Sequence, residues 1–285
     1  MGTIRERSLP NQPTRADATK PRVAAEPQSS AAGSHDARAD AESPSARELT
    51  VQRFLQPDDV TCGPTCLRKV YDFYGLQVDM DNVVESLERN EDGGTLAVFL
   101  GMAALRRGLR ARIYSYDLQI FDPTWAALPR RELVAKIRAR FPHFTDPKRK
   151  GAAVAYVRYL EMGGELAFDD LTPALLRAII DRGHPVLAGL SATYLYGYRR
   201  ERWDAAAGRL VEDDVAGEPT GHFVVVSGYD QWGRQLVVLD PSEHVPVSED
   251  GRLRVGAERL INAILLGDVT YDAVLLELWP EGEAD

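Results

Sequence analysis

The sequence predicts an α+β domain in which helices and antiparallel strands occupy largely separate parts of the chain. Between about residues 60 and 183, apolar side chains recur mainly at helical spacing. After residue 185, alternating or continuous apolar runs typical of strands dominate. This separation is typical of α+β folds, and the length of 285 residues allows one sizeable core.

The N-terminal segment, residues 1–48, differs in composition from the rest. It is rich in Ala, Ser, Pro, Arg and Asp and has almost no aromatic or large aliphatic residues. Such a segment cannot bury enough apolar surface to offset the entropy lost on ordering. We therefore expect a disordered tail at 1–48 and a folded domain at 49–285.

Two helices are predicted at the start of the domain. The first covers about 63–74, because Pro64 suits a first helical turn, apolar residues follow at helical spacing, and Gly75 ends the run. The second covers about 82–89, with Asp81 as its N-terminal cap.

Glycines delimit the third predicted helix. Gly93 and Gly94 precede it and Gly108 ends it, which places the helix at about 95–107. Residues 110–116 then alternate as a strand does.

Residues 117–150 change in character and are interpreted as an insertion. Residues 121–125 are typical of a loop, and 130–140 of a basic amphipathic helix with a solvated charged face. The next predicted elements are a helix at about 151–162, a helix from Thr172-Pro173 to near Gly183, and a buried strand at 185–191.

A second insertion is predicted near 192–221, long enough to suspect a function. It is rich in aromatic and cationic residues and leads directly into His222. It could form a substrate-contacting loop, or an extra hairpin that caps the sheet. The candidate substrate-binding residues are Tyr194, Tyr196, Tyr198 and Arg199.

The C-terminal part is predicted to contain a hairpin at about 222–240, a helix at about 256–266 and a strand at about 270–278. If the hairpin turn is centred near residue 232, Asp240 lies within a residue or two of facing His222. A carboxylate there can hold the imidazole and fix its tautomer. Asp230 lies in the turn itself, where it is expected to act as a turn former.

Cys62 precedes the first predicted helix. The unpaired N–H groups and the dipole of a helix N-terminus favour an anion, and a neighbouring imidazole such as His222 would complete the activation of a thiolate. Gln56 lies six positions earlier, where its amide could donate to the oxyanion of a tetrahedral intermediate. Cys66 is one helical turn further on and is interpreted as a core residue.

These motifs together resemble a known group. Gln56, the run Cys62-Gly-Pro-Thr-Cys-Leu67, the run from Gly221-His222 and Asp240-Pro241 are similar to the papain-like bacteriocin-processing cysteine peptidases, which remove double-glycine leader peptides. The resemblance implies a papain-like fold with Cys62 as nucleophile, His222 as base, Asp240 as orienting group and Gln56 as oxyanion donor. It departs from the family because this chain contains no transporter and has a longer span between Cys62 and His222.

Composition excludes several other classes of function. The net charge of −9 argues against nucleic acid, since phosphate contacts need a cationic face. No apolar run is long enough to span a bilayer, and there is no secretory signal. Two cysteines cannot form a disulfide framework, and no cluster has zinc spacing. We expect a cytoplasmic protein without metal or cofactor that acts on a peptide or another amide.

The sequence leaves the class of activity open. The site suits a peptidase, but the same residues serve amidases and acyl or peptidyl transferases, in which an amine replaces water. A papain-like module that only binds peptides is a further alternative, although retention of all four catalytic residue types speaks against it.

Overall fold

A computed structural model describes residues 46–89, 94–243, 245, 248, 250–267 and 273–282. Most of the predicted tail, 1–48, lies outside these residues. Its boundary is wrong by at least two positions, because Arg47 and Glu48 form a short strand that pairs with residues 228–229. The Glu48 carboxylate also accepts a hydrogen bond from the Arg252 guanidinium at 2.8 Å.

The seven predicted helices are all present, and most of their bounds differ by a few residues; α7 was not predicted. The described helices are α1 Cys62–Phe73, α2 Met80–Glu85, α3 Ala97–Arg106, α4 Arg130–Arg140, α5 Pro147–Glu161, α6 Pro173–Asp181, α7 Ala192–Tyr196 and α8 Ala257–Leu265. The predicted cap of α2 is wrong: the carboxylate of Asp79, and not that of Asp81, accepts the N–H of Asn82 at 2.8 Å. The helix consequently begins earlier than expected, and Asp81 lies in its first turn.

The described strands form an eight-stranded sheet and a separate hairpin. They are β1 Arg47–Glu48, β2 Leu109–Ser115, β3 Glu165–Ala167, β4 Val186–Ser191, β5 Glu201–Asp204, β6 Arg209–Glu212, β7 Gly221–Tyr229, β8 Gln235–Leu239, β9 Arg252–Gly256 and β10 Val274–Pro280. The order in the main sheet is β3-β2-β10-β4-β7-β8-β9, with β1 also on β7, and β5 and β6 form the separate hairpin. The β2–β3 pair is parallel and the other pairs are antiparallel.

Helices cover both faces of this sheet. Phe223 and Val225 of β7 belong to a core that includes α1, α3, α4 and α5, whereas Val224 and Val226 belong to a second core with α6 and α8. Because both faces are covered, the interior of β7 is a continuous apolar run and does not alternate. The α+β class is confirmed, and α1, which begins at Cys62, packs on β7, which contains His222.

The two predicted insertions have different structures. In the first, 117–150, α4 buries Leu133, Val134 and Ile137 in the main core and exposes its basic side chains, as predicted. In the second, 192–221, α7 is followed by the β5–β6 hairpin.

Candidate active site

Cys62 is the first residue of α1. No side chain caps this helix end, so its first N–H groups have no partner within the helix and favour a negative charge beside them. The thiol is half-buried, whereas Cys66 is fully buried. Burial raises the pKa of the Cys66 thiol, which donates to the carbonyl of Phe223 at 3.3 Å. This contact ties α1 to β7, next to His222.

Gly63 permits this close packing. A Cβ atom at this position would lie 2.6 Å from the Cγ2 methyl of Thr95 and 3.3 Å from both the Leu100 and Phe223 side chains. Real Cβ atoms do not approach other atoms as closely as 2.6 Å, so a side chain at residue 63 would displace the start of α1. The glycine after Cys62 is therefore needed for the position of the thiol.

The β7–β8 hairpin brings His222 and Asp240 together. Val225 pairs with Leu239, so Asp240 follows almost opposite His222, and the predicted register is correct. The Nε2 atom of His222 lies 3.0 Å from Oδ1 and 3.1 Å from Oδ2 of Asp240. Asp230 is a turn former, as predicted, because its carboxylate accepts the N–H groups of residues 234 and 235.

The carboxylate of Asp240 is deeply buried and well supplied with donors. Its Oδ1 accepts the backbone N–H of Ser242 at 2.7 Å, and its Oδ2 accepts the hydroxyl of Tyr196. Burial alone would raise the pKa of Asp240, but the attraction of His222 and these hydrogen bonds lower it. Asp240 is therefore held as an anion.

The imidazole of His222 is held as a cation. Burial favours its neutral form, but the charge of Asp240 and the hydrogen bond to its carboxylate, with smaller contributions from the neighbouring Cys62, outweigh burial and raise the pKa of His222 to about 10. Because Nε2 faces Asp240, the other ring nitrogen, Nδ1, is the one available to Cys62. The site can therefore hold a proton between the thiol and the imidazole.

Gln56 lies on the same cavity wall as His222 and Asp240. Its Nε2 donates to the carbonyl of Asp58 at 2.9 Å, and its Oε1 is buried without a hydrogen-bond partner among the described residues. One N–H of the amide is thus engaged within its own loop, and the second N–H of Nε2 is the donor left for an oxyanion. Its catalytic role stays a prediction.

The four candidate substrate-binding residues of the second insertion separate into two groups. Tyr196, Tyr198 and Arg199 line a cavity of about 510 Å³ together with His222 and Asp240. Tyr194 is not among the described residues that line it, and its substrate-binding role stays a prediction. Its ring lies against the guanidinium of Arg259, on α8.

The described wall of this cavity does not include Cys62. The second insertion contacts Asp240 directly, through the Tyr196 hydroxyl. The hairpin alternative is correct in its structure, since β5 and β6 do pair. Among its cavity-lining residues are Glu201, Leu210 and Glu212.

Lys69 is a charged residue near the site that the sequence analysis missed. It is fully buried, and its Nζ lies 3.5 Å from the carbonyl of Leu239, the residue before Asp240. Burial lowers the pKa of Lys69, opposed by the charges of Cys66 and Asp240. Its spacing from Cys62 and Cys66 on one face of α1 was the available signal.

The described residues contain no group of three or more His, Cys, Asp or Glu side chains placed to hold a metal ion. None of the described helices is both long and apolar enough to cross a membrane.

Comparison with known families gives one match. Residues 167–250 match the model of the Peptidase C39 like family. This segment contains His222 and Asp240 but not Cys62. The match confirms the expected resemblance to the bacteriocin-processing peptidases over that segment. No curated protein sequence matches the chain.

Several solved structures are weakly similar. A double glycine motif protease from an AMS/PCAT transporter, crystallised with its leader peptide, is 15% identical and covers 82% of this chain and 94% of its own, with a TM-score of 0.38. A structure described as a C39-like peptidase from Bacillus anthracis is 13% identical, with coverages of 82% and 96% and a TM-score of 0.43. The peptidase domain of Streptococcus ComA, a bi-functional ABC transporter of a quorum sensing pathway, is 16% identical, with coverages of 81% and 100% and a TM-score of 0.40.

Proposed function

We propose that this protein is a cysteine peptidase that uses Cys62, His222 and Asp240 as its catalytic residues. The observation that carries the proposal is the contact of His222 Nε2 with both oxygens of buried Asp240, at 3.0 and 3.1 Å, on the strand against which the helix that begins at Cys62 is packed. The peptidase family match over 167–250 supports the same class of reaction.

Acylation begins with the Cys62 thiolate and the His222 imidazolium. The sulfur attacks the carbonyl carbon of the scissile amide, forming a C–S bond and a tetrahedral oxyanion. Backbone N–H groups at the start of α1 can stabilise this oxyanion. The imidazolium then gives its Nδ1 proton to the leaving amine as the C–N bond breaks, which leaves an acyl-enzyme and neutral His222.

Deacylation reverses the role of His222. The neutral imidazole takes a proton from water, the hydroxide attacks the thioester, and the acid product leaves as the thiol is restored. Asp240 keeps the ring in one orientation and stabilises its positive charge in both steps. In this scheme Gln56 adds a second oxyanion donor through the N–H of Nε2 that does not bond the Asp58 carbonyl.

The substrate class that this chemistry serves is a peptide. If an amine replaced water at the second step, the same acyl-enzyme would form an amide, and the enzyme would be a transferase. A protein that only binds peptides would form no acyl-enzyme. The three functions therefore differ in the product, and one experiment can separate them.

Mass spectrometry of the intact protein provides that experiment. The protein is first treated with a thiol-directed probe at pH 6, and separate samples are incubated with a peptide library with and without an added amine. We expect one probe adduct on Cys62, an acyl adduct at the same residue, and free acid as the product. Absence of acylation at Cys62 by any peptide or amide would contradict the proposal.

Substitutions at the pair His222 and Asp240 test their roles. Asp240→Asn should retain the fold and slow acylation, by up to about 10⁴-fold, because an amide cannot stabilise imidazolium by charge. His222→Ala should cost at least as much. The double variant should be little worse than His222→Ala, because residues that act as a unit are non-additive.

The control for this series is Asp230→Asn. It removes a carboxylate from the turn of the same hairpin and should hardly affect acylation. Additive losses in the double variant, or a loss at Asp230 equal to that at Asp240, would show that the assignment of the triad is wrong.

A further inference from the structure

Tyr196 contacts the catalytic carboxylate directly. It is the last residue of α7, and its hydroxyl donates to Oδ2 of Asp240. Both oxygens of the same carboxylate contact Nε2 of His222, and Oδ1 also accepts the backbone N–H of Ser242. Among the described residues, two side chains therefore donate hydrogen bonds to Asp240: those of His222 and Tyr196.

The position of α7 supports a role on the Asp240 side of the site. The cavity wall that Tyr196 shares with His222 and Asp240 does not include Cys62. A hydroxyl already donated to a buried carboxylate is not free to bind a substrate by that donor. Its contact is with the orienting group of the triad, away from the reacting sulfur.

We propose that Tyr196 is a positioning residue, which holds the Asp240 carboxylate in the orientation that His222 requires. The proposal rests on the proposed peptidase function and replaces the predicted substrate-binding role of Tyr196. It assigns the second insertion, through α7, a part in building the catalytic triad.

The physical reason is the number of donors that a buried carboxylate needs. Asp240 is 1% exposed and cannot recruit water freely. Without the Tyr196 hydroxyl, Oδ2 would keep only its contact with His222, and the carboxylate could rotate about its side chain. A buried acceptor left short of donors is costly, so the carboxylate would also accept a proton more readily.

Other titratable groups that interact electrostatically with this carboxylate are common to the wild type and both variants. They include Cys66 and Lys69 of α1, His222 of β7, and Tyr198, two residues beyond the end of α7.

The test compares Tyr196→Phe with Tyr229→Phe in the full-length protein. Tyr229 also donates its hydroxyl to a carboxylate, that of Asp181 at 2.6 Å, at the opposite end of β7. The two variants lose the same atom and the same kind of hydrogen bond. Single-turnover acylation is measured from pH 3 to 9 and normalised to the fraction of Cys62 that a thiol probe labels.

For Tyr196→Phe we expect slower acylation and an unchanged KM. The acid limb of its pH–rate profile should move to higher pH by roughly 1 unit, because a hydrogen bond to a carboxylate stabilises the anion by about that amount. Tyr229→Phe should match the wild type. A raised KM with an unmoved acid limb would overturn the proposal in favour of substrate binding, and a Tyr196→Phe profile identical to the wild type would overturn it outright. Failure of the wild type itself to acylate would instead contradict the peptidase function.

Discussion

At the scale of single residues, Lys69 has the environment least expected for its type. Its ammonium lies in the interior with a backbone carbonyl at 3.5 Å as its described hydrogen-bond acceptor. Removing a cation from water is costly unless it is well paired. The interior next to Asp240 therefore disfavours the charged form of Lys69, and its pKa is lowered by burial.

This placement makes a prediction about stability and pH. The unfolded chain binds a proton at Lys69 up to a pH of about 10.4, whereas the folded protein releases it at lower pH, so Lys69 makes stability rise with pH in that interval. Lys69→Met should remove this rise, with unchanged or higher stability at pH 7. Melting temperatures from pH 6 to 10 measure it.

The control is Lys136→Met, which removes an exposed lysine of α4 and should leave the pH dependence unchanged. In the wild type and both variants, His222 changes stability with pH in the opposite direction. Its pKa is raised to about 10, so its contribution to stability is complete below about pH 6.5 and is lost as the pH rises towards 10. Parallel curves for the wild type and Lys69→Met would contradict the account of Lys69.

The sequence indicated some of these residues and not others, for physical reasons. Cys62, His222 and Asp240 could be proposed because a helix start and a hairpin register are local patterns. The bond of Tyr196 to Asp240 and the burial of Lys69 could not, because these contacts depend on how α7 and α1 pack against distant strands. Gln56 illustrates a third case: its place in the chain was informative, but the bond of its amide to Asp58 depends on loop geometry.

At the scale of elements, the seating of α1 on β7 depends on a glycine. Gly63→Ala should destabilise the protein by about 1–3 kcal/mol, because the new methyl overlaps the Thr95 side chain and neighbouring atoms must shift. It should also slow acylation, since Cys62 is the preceding residue. Urea unfolding and single-turnover acylation measure the two effects.

Gly151→Ala provides a matched helical control. Gly151 lies within α5 with nothing within 4 Å of its added Cβ, so this change should stabilise the protein by about 0.5–1 kcal/mol. Equal stabilities of the two variants would show that Gly63 is not a close-packed position.

Elements with strong patterns were predictable and short ones were not. The helix at 130–140 was predicted with its observed bounds, and the β7–β8 register was correct. The short strand β3 and the strand β9 were missed. Three residues are too few to show an alternation in β3, whereas the Arg-Leu-Arg-Val alternation of β9 was an available strand signal.

At the scale of the whole molecule, the boundary of the folded part can be tested by truncation. Deletion of residues 1–45 should leave the melting temperature unchanged, because that composition supplies few core-forming residues. Deletion of 1–48 should lower it by roughly 2–4 °C. The longer deletion also removes β1 and the partly exposed Glu48–Arg252 ion pair, which together contribute about 1 kcal/mol to the free energy of unfolding. Equal melting temperatures would show that β1 contributes nothing.

The central claim is that His222 activates Cys62, and the rate of Cys62 alkylation against pH tests it most directly. The raised pKa of His222 keeps the imidazolium present at pH 6. The Cys66→Ala variant should therefore be alkylated at pH 6 on the order of 100-fold faster than Cys66→Ala/His222→Ala, whose rate should rise only as pH approaches the roughly 8.5 of a free thiol. Cys62→Ala should react slowly throughout, because Cys66 is buried. Coincident profiles with and without His222 would contradict the account.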